Sequence, residues 1–419
     1  MIPASKSDRE PEKDQKARQR PFWLPTSLRY FLFAILGLTI VSLGYSLVAR
    51  ILGFGLPYSF SYPFIPGAFF SDFSEFRLRF PDFGTPQFFN HIGYLMYPAA
   101  MTLAIEAFYA TPHPLKIFFL FLVIIGMFFT GCLYHILRKG GLSLGPAALL
   151  TAAILITSYP YLVLLLRWNT EVFIWLTVTL GLWTFYRRQY VWAAIWIGLA
   201  AALKLYPIIF FGLFLPRRRY LDIALGVFIA IAITVVALRT LSPNIVYAFH
   251  WNSVQLQAFG KYYAAAPHNL GYDHSLLGLV KFATLPWHPD LTSALRPFTW
   301  FIAVACLVLY FGRIWKMPIF NQILSLSVLS VSIAPVSYDY TLLSLYAALT
   351  ILCVAALHTS EDEQSNLTPF FLLFAAILTP LNFIILHGAV FGAQLRALLL
   401  IALLVMTLRR PIRTEGDIA

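Results

Sequence analysis

The stretch Leu28–Val48, LRYFLFAILGLTIVSLGYSLV, carries a single charge, Arg29, and is long enough to cross a bilayer as one helix, which takes about 20 residues. Before it, a tail mixes Lys6, Arg9, Lys13, Lys16, Arg18 and Arg20 with Asp8, Glu10, Glu12 and Asp14. That composition predicts a disordered cytoplasmic segment over 1–29. No small-residue cleavage site separates the two, so the apolar stretch reads as an uncleaved first span. After it, apolar runs recur at about 92–111, 115–137, 145–166, 171–186, 190–215, 221–241, 297–315, 319–334, 339–357, 369–387 and 391–408. Two long interruptions, about 50–91 and 242–296, separate them. The expected fold is an all-α, polytopic transmembrane bundle of eleven or twelve segments over 30–408, with two long extracytoplasmic loops and a cytoplasmic tail at 409–419.

The totals agree. Of 419 residues, 59% are hydrophobic and 11% charged, with a mean hydropathy of +0.74, which excludes a soluble globular domain. The net charge of +12 sits largely in short clusters beside apolar runs, so it reads as membrane topology and not as nucleic-acid binding. Arg217–Arg219, Arg313/Lys316 and Arg409/Arg410/Arg413 all face the cytoplasm if the 242–296 loop is outside. Asp222 is the natural partner of the first cluster. Arg138/Lys139 and Arg187/Arg188 join them only if the 92–111 and 190–215 runs are re-entrant or broken. Pro98 and Pro207 allow such breaks. Either way, the two long loops share the outer side.

Cys132, Cys306 and Cys353 lie in separate apolar runs and read as core residues. The chain has no His-x-x-x-His or Cys-x-x-Cys pair, so no metal set is expected. No Gly-rich phosphate loop and no hydrolase elbow occurs, and no cofactor is expected.

The first loop holds PGAFFSDFSEFRLRFPDFGTP, Pro66–Pro86. At helical period Phe69, Phe73, Phe76 and Phe80 share one face, and Asp72, Glu75 and Arg79 the other. This predicts an interfacial helix with its aromatic face in lipid and carboxylates held over the surface. Asp72 is the leading catalytic candidate. Its alternative is N-capping, with Glu75 at the third position and a Glu75–Arg79 pair. Lys204, in AALKLYP, must pair, face a wet cavity or snorkel to an interface. Arg167 and Glu171, four residues apart, read as an ion pair at the membrane edge. The 242–296 loop offers His250, Trp251, Tyr262, Tyr263, His268, Asn269, Tyr272, Asp273, His274 and Trp287, a set suited to sugar hydroxyls and ring faces and equally to an aromatic belt.

Three segments resemble a known family: Ser71-Asp72-Phe73 with Tyr97-Pro98; AALKLYPIIFF, Ala201–Phe211; and His268-Asn269 with His274-Ser275-Leu276, followed by Ala334–Tyr340. Together they resemble the polyprenyl-phosphate-sugar-dependent glycosyltransferases of the GT-C fold, in glycosyltransferase family 87, which includes α-1,2-mannosyltransferases. The resemblance spans roughly 30–350, and Lys-x-Tyr-Pro is its most specific part. It implies a lipid-linked sugar donor, transfer on the outer face of the cell (inner) membrane, and Asp72 as general base on the acceptor hydroxyl. The acceptor would be a lipid or a glycan. Glu75, Arg79, Lys204, Tyr206, His268, Asn269, His274 and Asp339 are the candidate substrate-binding residues. Two departures stand out. Where the family commonly has Gly-Gln-x-Asn, this chain has Arg167-Trp168-Asn169-Thr170. The late Ser-Pro-x-Ser motif is often followed by histidine, where this chain has Tyr338-Asp339-Tyr340. A role for Asp339 therefore stays open. Leaving-group contacts can come from Lys204, Arg79, Lys261 or His268. The competing functions are a transporter or flippase of lipid-linked glycans, which predicts charges spread through many spans, and a polysaccharide polymerase or ligase.

Overall fold

The computed structural model describes residues 24–52, 71–78, 80–89, 97–265, 270–284, 287, 291–381, 385–386 and 389–414. The chain is a helical bundle: α1 (Thr26–Ile51), α2 (Ala99–Tyr109), α3 (Pro114–Lys139), α4 (Leu144–Leu155), α5 (Tyr159–Arg167), α6 (Glu171–Tyr186), α7 (Tyr190–Leu203), α8 (Tyr220–Leu241), α9 (Ile245–Phe259), α10 (Leu276–Thr284), α11 (Leu295–Gly312), α12 (Ile319–Ser332), α13 (Tyr346–His358), α14 (Gln364–Leu378) and α15 (Gly392–Arg409). The one strand pairing among the described residues is a two-residue antiparallel ladder, Ile385–Leu386 with Ala389–Val390. Among the described residues, six helical stretches are long and apolar enough to cross a membrane: Thr26–Tyr45, Pro114–Lys139, Tyr220–Leu241, Leu295–Lys316, Asp339–His358 and Gly392–Arg409. The α4–α5 pair, bent by 58°, makes a seventh if counted as one span. The polytopic all-α expectation holds, but the other apolar runs form shorter helices. Buried along its whole length, α12 is the centre of the bundle.

Prolines and left-handed residues set the breaks. Pro160 sits in the first turn of α5, where its missing N–H costs nothing. Trp168, at φ 52°, ends α5 in the left-handed region, which a large side chain seldom adopts. The 190–215 run is broken, as Pro207 allows. Its first half, α7, stops at Lys204, which is extended, and a 3₁₀ stretch from Tyr206 to Arg217 runs back. The 92–111 run does not cross either. Its 11-residue α2 is about 16 Å long, half the apolar core. Tyr97 accepts a bond from Asn252 just before α2, and Tyr109 near its far end bonds the Phe73 carbonyl.

These two breaks bring every basic cluster to one end. Thr26 donates to Glu361 at 2.9 Å, Arg217 to Gln322 at 2.9 Å, and Asn321 to the Thr407 carbonyl at 2.7 Å. Arg313 donates to the Leu408 carbonyl, Gly140 packs under Leu357, and Arg217 stacks over Phe185 just before Arg187/Arg188. We call this the basic end. Asp222 pairs there with Arg219 at 2.9 Å, as expected. Described parts of the two long loops lie at the opposite end: Asp72 is held by Arg167, and Asp273 and His274 by the 337–339 segment. Much of the 242–296 segment is itself helical, in α9, a π stretch over Gly260–Ala265, and α10.

The 66–86 helix is corrected. Pro81 interrupts it, and the described part is a single α turn, Ser71–Ser74, followed by short 3₁₀ pieces over Glu75–Leu78, Phe80–Asp82 and Pro86–Phe89. Its described phenylalanines, Phe73 and Phe76, do not face lipid. Phe73 is fully buried, stacked on Phe118 at 3.9 Å and on Tyr109 at 5.1 Å, and Phe76 is buried as well. Phe69 and Arg79 lie outside the described residues, as do 1–23, His268, Asn269 and Asp290.

Close packing inside the bundle rests on paired small residues. Gly198 of α7 faces Gly226 of α8 so closely that a Cβ at 198 would stand 2.4 Å from the Gly226 carbonyl oxygen. Because the obstacle is backbone, the helices must separate. Gly198→Val should destabilise the protein by about 1–3 kcal/mol, read as a lowered unfolding midpoint in detergent. An unchanged midpoint would show that the two helices part freely.

Candidate active site

Four carboxylates at the end opposite the basic clusters are held by cations, three of them far away in sequence. Asp72 meets Arg167, Glu171 meets Lys204, Asp339 meets Arg396, and Asp273 meets Lys281 at 3.0 Å.

The first pair is built by the turn at Trp168. Phe73, locked between aromatic rings, fixes the backbone beside Asp72, and the left-handed Trp168 swings the chain so that Arg167 and Asn169 both reach it. Arg167 Nε donates to both carboxylate oxygens of Asp72 at 2.9 Å, with Nη2 also on Oδ1. Asn169 Nδ2 donates to Asp72 Oδ2 at 2.6 Å, while its own Oδ1 accepts the Glu171 backbone N–H at 2.8 Å. Asn169 thereby ties the Asp72 pair to the start of α6. The Asp72 side chain is 13% exposed and that of Arg167 28%, so both are reachable from outside.

The second pair lies alongside. Glu171 opens α6, where the positive end of the helix favours a carboxylate. Lys204 and the Tyr206 hydroxyl both donate to it. Lys204 also lies 5.7 Å from the ring centre of Tyr97 and 6.0 Å from that of Tyr340. Glu171 is 1% exposed and Lys204 18%. The lysine expected to pair or snorkel therefore pairs. The Arg167–Glu171 pair expected from spacing is replaced by two others, because the left-handed turn between them ends the helix that would have aligned them.

The third pair is fully enclosed. Arg396 of α15 binds Asp339 through Nη1, the Ile377 carbonyl through Nε at 3.0 Å and the Thr379 carbonyl through Nη2 at 2.8 Å. His274 stands beside it, with Nδ1 3.7 Å from Asp339 Oδ1 and Nε2 3.0 Å from the Ser337 hydroxyl. Burial lowers the His274 pKa, opposed by the neighbouring Asp339. Both His274 and Asp339 are closed off from solvent. They spend their bonds on the protein and fasten the 337–341 segment, which carries Tyr340 to the Lys204 ammonium.

Of the candidate residues, Asp72, Lys204, Tyr206 and the backbone carrying Tyr340 come together at this end, with His274 and Asp339 enclosed behind. Glu75 follows Asp72 in the first turn of the 3₁₀ piece. Arg396 escaped the reading, although a lone arginine in an apolar run is a recognisable signal. Arg167 and Asn169 were visible as residues but not as partners of Asp72. A cleft of about 880 Å³ lies at the basic end, but the one carboxylate in its lining, Glu363, is exposed. The partly open carboxylate of Asp72, paired with Arg167, is at the other end.

A family model for glycosyltransferase family 87 matches residues 94–335, which include Arg167, Asn169, Glu171, Lys204 and Tyr206. No curated protein and no solved structure matches the chain. The match spans more than half of the 419 residues, across the centre of a polytopic helical bundle, and this chain belongs to glycosyltransferase family 87.

Proposed function

We propose that this glycosyltransferase transfers a hexose, with mannose the first choice, from a polyprenyl-phosphate donor to a lipid or glycan acceptor on the extracytoplasmic face of the cell membrane. One observation carries the reading: a partly open carboxylate, Asp72, lies among cations at the end of the bundle remote from every basic cluster. Positive clusters favour the cytoplasmic side, which supports an outward-facing Asp72. Nucleotide sugars are supplied from the cytoplasm, so an outward site calls for a sugar carried on a lipid. Exposed apolar faces at Trp300, Phe301, Val304, Leu307 and Val308 of α11 give a prenyl chain apolar surface to lie against.

The acceptor oxygen forms a bond to the sugar C1 as the C1–O bond to phosphate breaks. The bonding pair leaves with the phosphate oxygen, and the hydroxyl proton passes to Asp72. The phosphate goes from a diester carrying one negative charge to a monoester that can carry two. A cation there is therefore bound more strongly as the reaction proceeds. Lys204 and Arg167 are the cations in place, and the Tyr97 and Tyr340 rings border the same space.

The test is radiolabel transfer by purified protein in liposomes, comparing polyprenyl-phosphate mannose with a nucleotide sugar, each with membrane-lipid extract as acceptor. Transfer from the lipid-linked donor alone is expected. Transfer from the nucleotide sugar alone would overturn the donor assignment.

A further inference from the structure

We infer that Arg167 is an exchangeable cation: it holds Asp72 while the site is empty and passes to the donor phosphate when the donor enters, releasing Asp72 to act as base. The inference rests on the lipid-phosphate donor reading above and adds how binding and proton removal are coupled.

The two neighbouring pairs are not equivalent. Glu171 is almost wholly buried, and its contacts are Lys204 and the Tyr206 hydroxyl. Moving Lys204 away would leave a buried carboxylate with a neutral donor, which is strongly unfavourable. Lys204 is therefore fixed. Arg167 differs, since its guanidinium is 28% exposed and its acid is the partly open Asp72. When Arg167 leaves, Asp72 keeps a bond from Asn169 Nδ2 at 2.6 Å, and Asn169 is itself held by the backbone of Glu171 at 2.8 Å. The carboxylate stays oriented by a neutral donor while its charge becomes available.

A guanidinium suits this exchange. Its planar fork fits a carboxylate and a phosphate with the same two-pronged geometry, so one side chain can serve either anion. A base that is neutralised until the phosphate arrives is also kept from activating water before the donor is seated. The consequence is competition: in the empty site, Asp72 and the donor phosphate contend for one cation.

That competition is measurable without turnover, as equilibrium binding of radiolabelled polyprenyl-phosphate mannose to protein in nanodiscs, with no acceptor. Asp72→Asn preserves the side chain's size and its capacity to accept from Arg167, but removes the charge that competes. It should bind donor about tenfold tighter than the wild type. In an Arg167→Gln background the same Asp72→Asn change should have no effect, and Arg167→Gln alone should weaken binding. Arg167→Lys retains a cation and should restore part of the tightening, which separates charge exchange from a misfolded turn. If the wild type binds and Asp72→Asn leaves affinity unchanged or weaker, the exchange is overturned while the donor reading stands. If the wild type does not bind this donor at all, both fall together.

Discussion

Asp72→Asn should lower hexose transfer by about 10²–10⁴-fold while leaving the unfolding midpoint close to that of the wild type. The size follows from general-base catalysis, since an amide cannot take up the proton released as the acceptor oxygen bonds to C1. The small effect on stability follows from exposure. Arg167 is partly open to water, so losing its anion does not strand a buried charge. Asparagine keeps one acceptor oxygen for Arg167 and gives up the bond from Asn169, so the turn at Trp168 keeps part of its tether. Two measurements on the same preparation check the expectation: single-turnover transfer of label, and thermal unfolding in detergent. Transfer within about tenfold of the wild type would return Asp72 to a structural role in the first loop. The outcome reads differently from the donor-binding experiment, where the same substitution is expected to improve affinity. A residue that slows the chemical step while tightening the ground state is one whose charge is used in the transition state and opposes binding before it.

The bundle was largely legible as apolar runs, because a bilayer leaves a chain few choices and each span must satisfy its own backbone. What spacing could not show is which runs cross. The 92–111 and 190–215 runs have the composition of spans, yet Pro98 and the Lys204–Pro207 break turn them aside, and all five basic clusters share an end as a result. The phenylalanine face of the first loop illustrates a second limit. Periodicity finds that Phe73 and Phe76 share a direction, but it cannot say whether the apolar surface they meet is lipid or Phe118 and Tyr109. The charge partners were least legible. Local spacing proposed Arg167 with Glu171, whereas the real partners lie 95 and 33 residues away in sequence and meet only because three helix ends converge. Asp72 and Lys204 could be picked out singly for being charged in apolar surroundings. Their relation to Arg167, Asn169 and Glu171 is a property of the fold.

Arg396 makes the same point with the largest expected effect on stability. Its side chain is fully buried in α15, and it binds Asp339 together with the Ile377 and Thr379 carbonyls at the end of α14. Those carbonyls have no further helical turn to donate to them, so the guanidinium caps α14 as well as neutralising Asp339. Arg396→Met is close in length and removes the charge and all its donors. It strands a carboxylate that is 2% exposed, and a destabilisation of about 3–5 kcal/mol is expected. Asp339→Asn in the same background should recover part of the loss, because it removes the stranded charge and leaves a group that needs only ordinary hydrogen bonds. Unfolding midpoints of the two single variants and the double variant, in one detergent, give the coupling directly. A double variant no more stable than Arg396→Met would mean that capping α14, and not the ion pair, is what Arg396 contributes. The coupled outcome has a functional side. Asp339 precedes Tyr340, whose ring lies 6.0 Å from the Lys204 ammonium, so loosening the pair should displace that ring. In the double variant, donor affinity should then fall more than the recovered stability would suggest, marking Arg396 as a positioning residue for the site at Asp72 and Lys204.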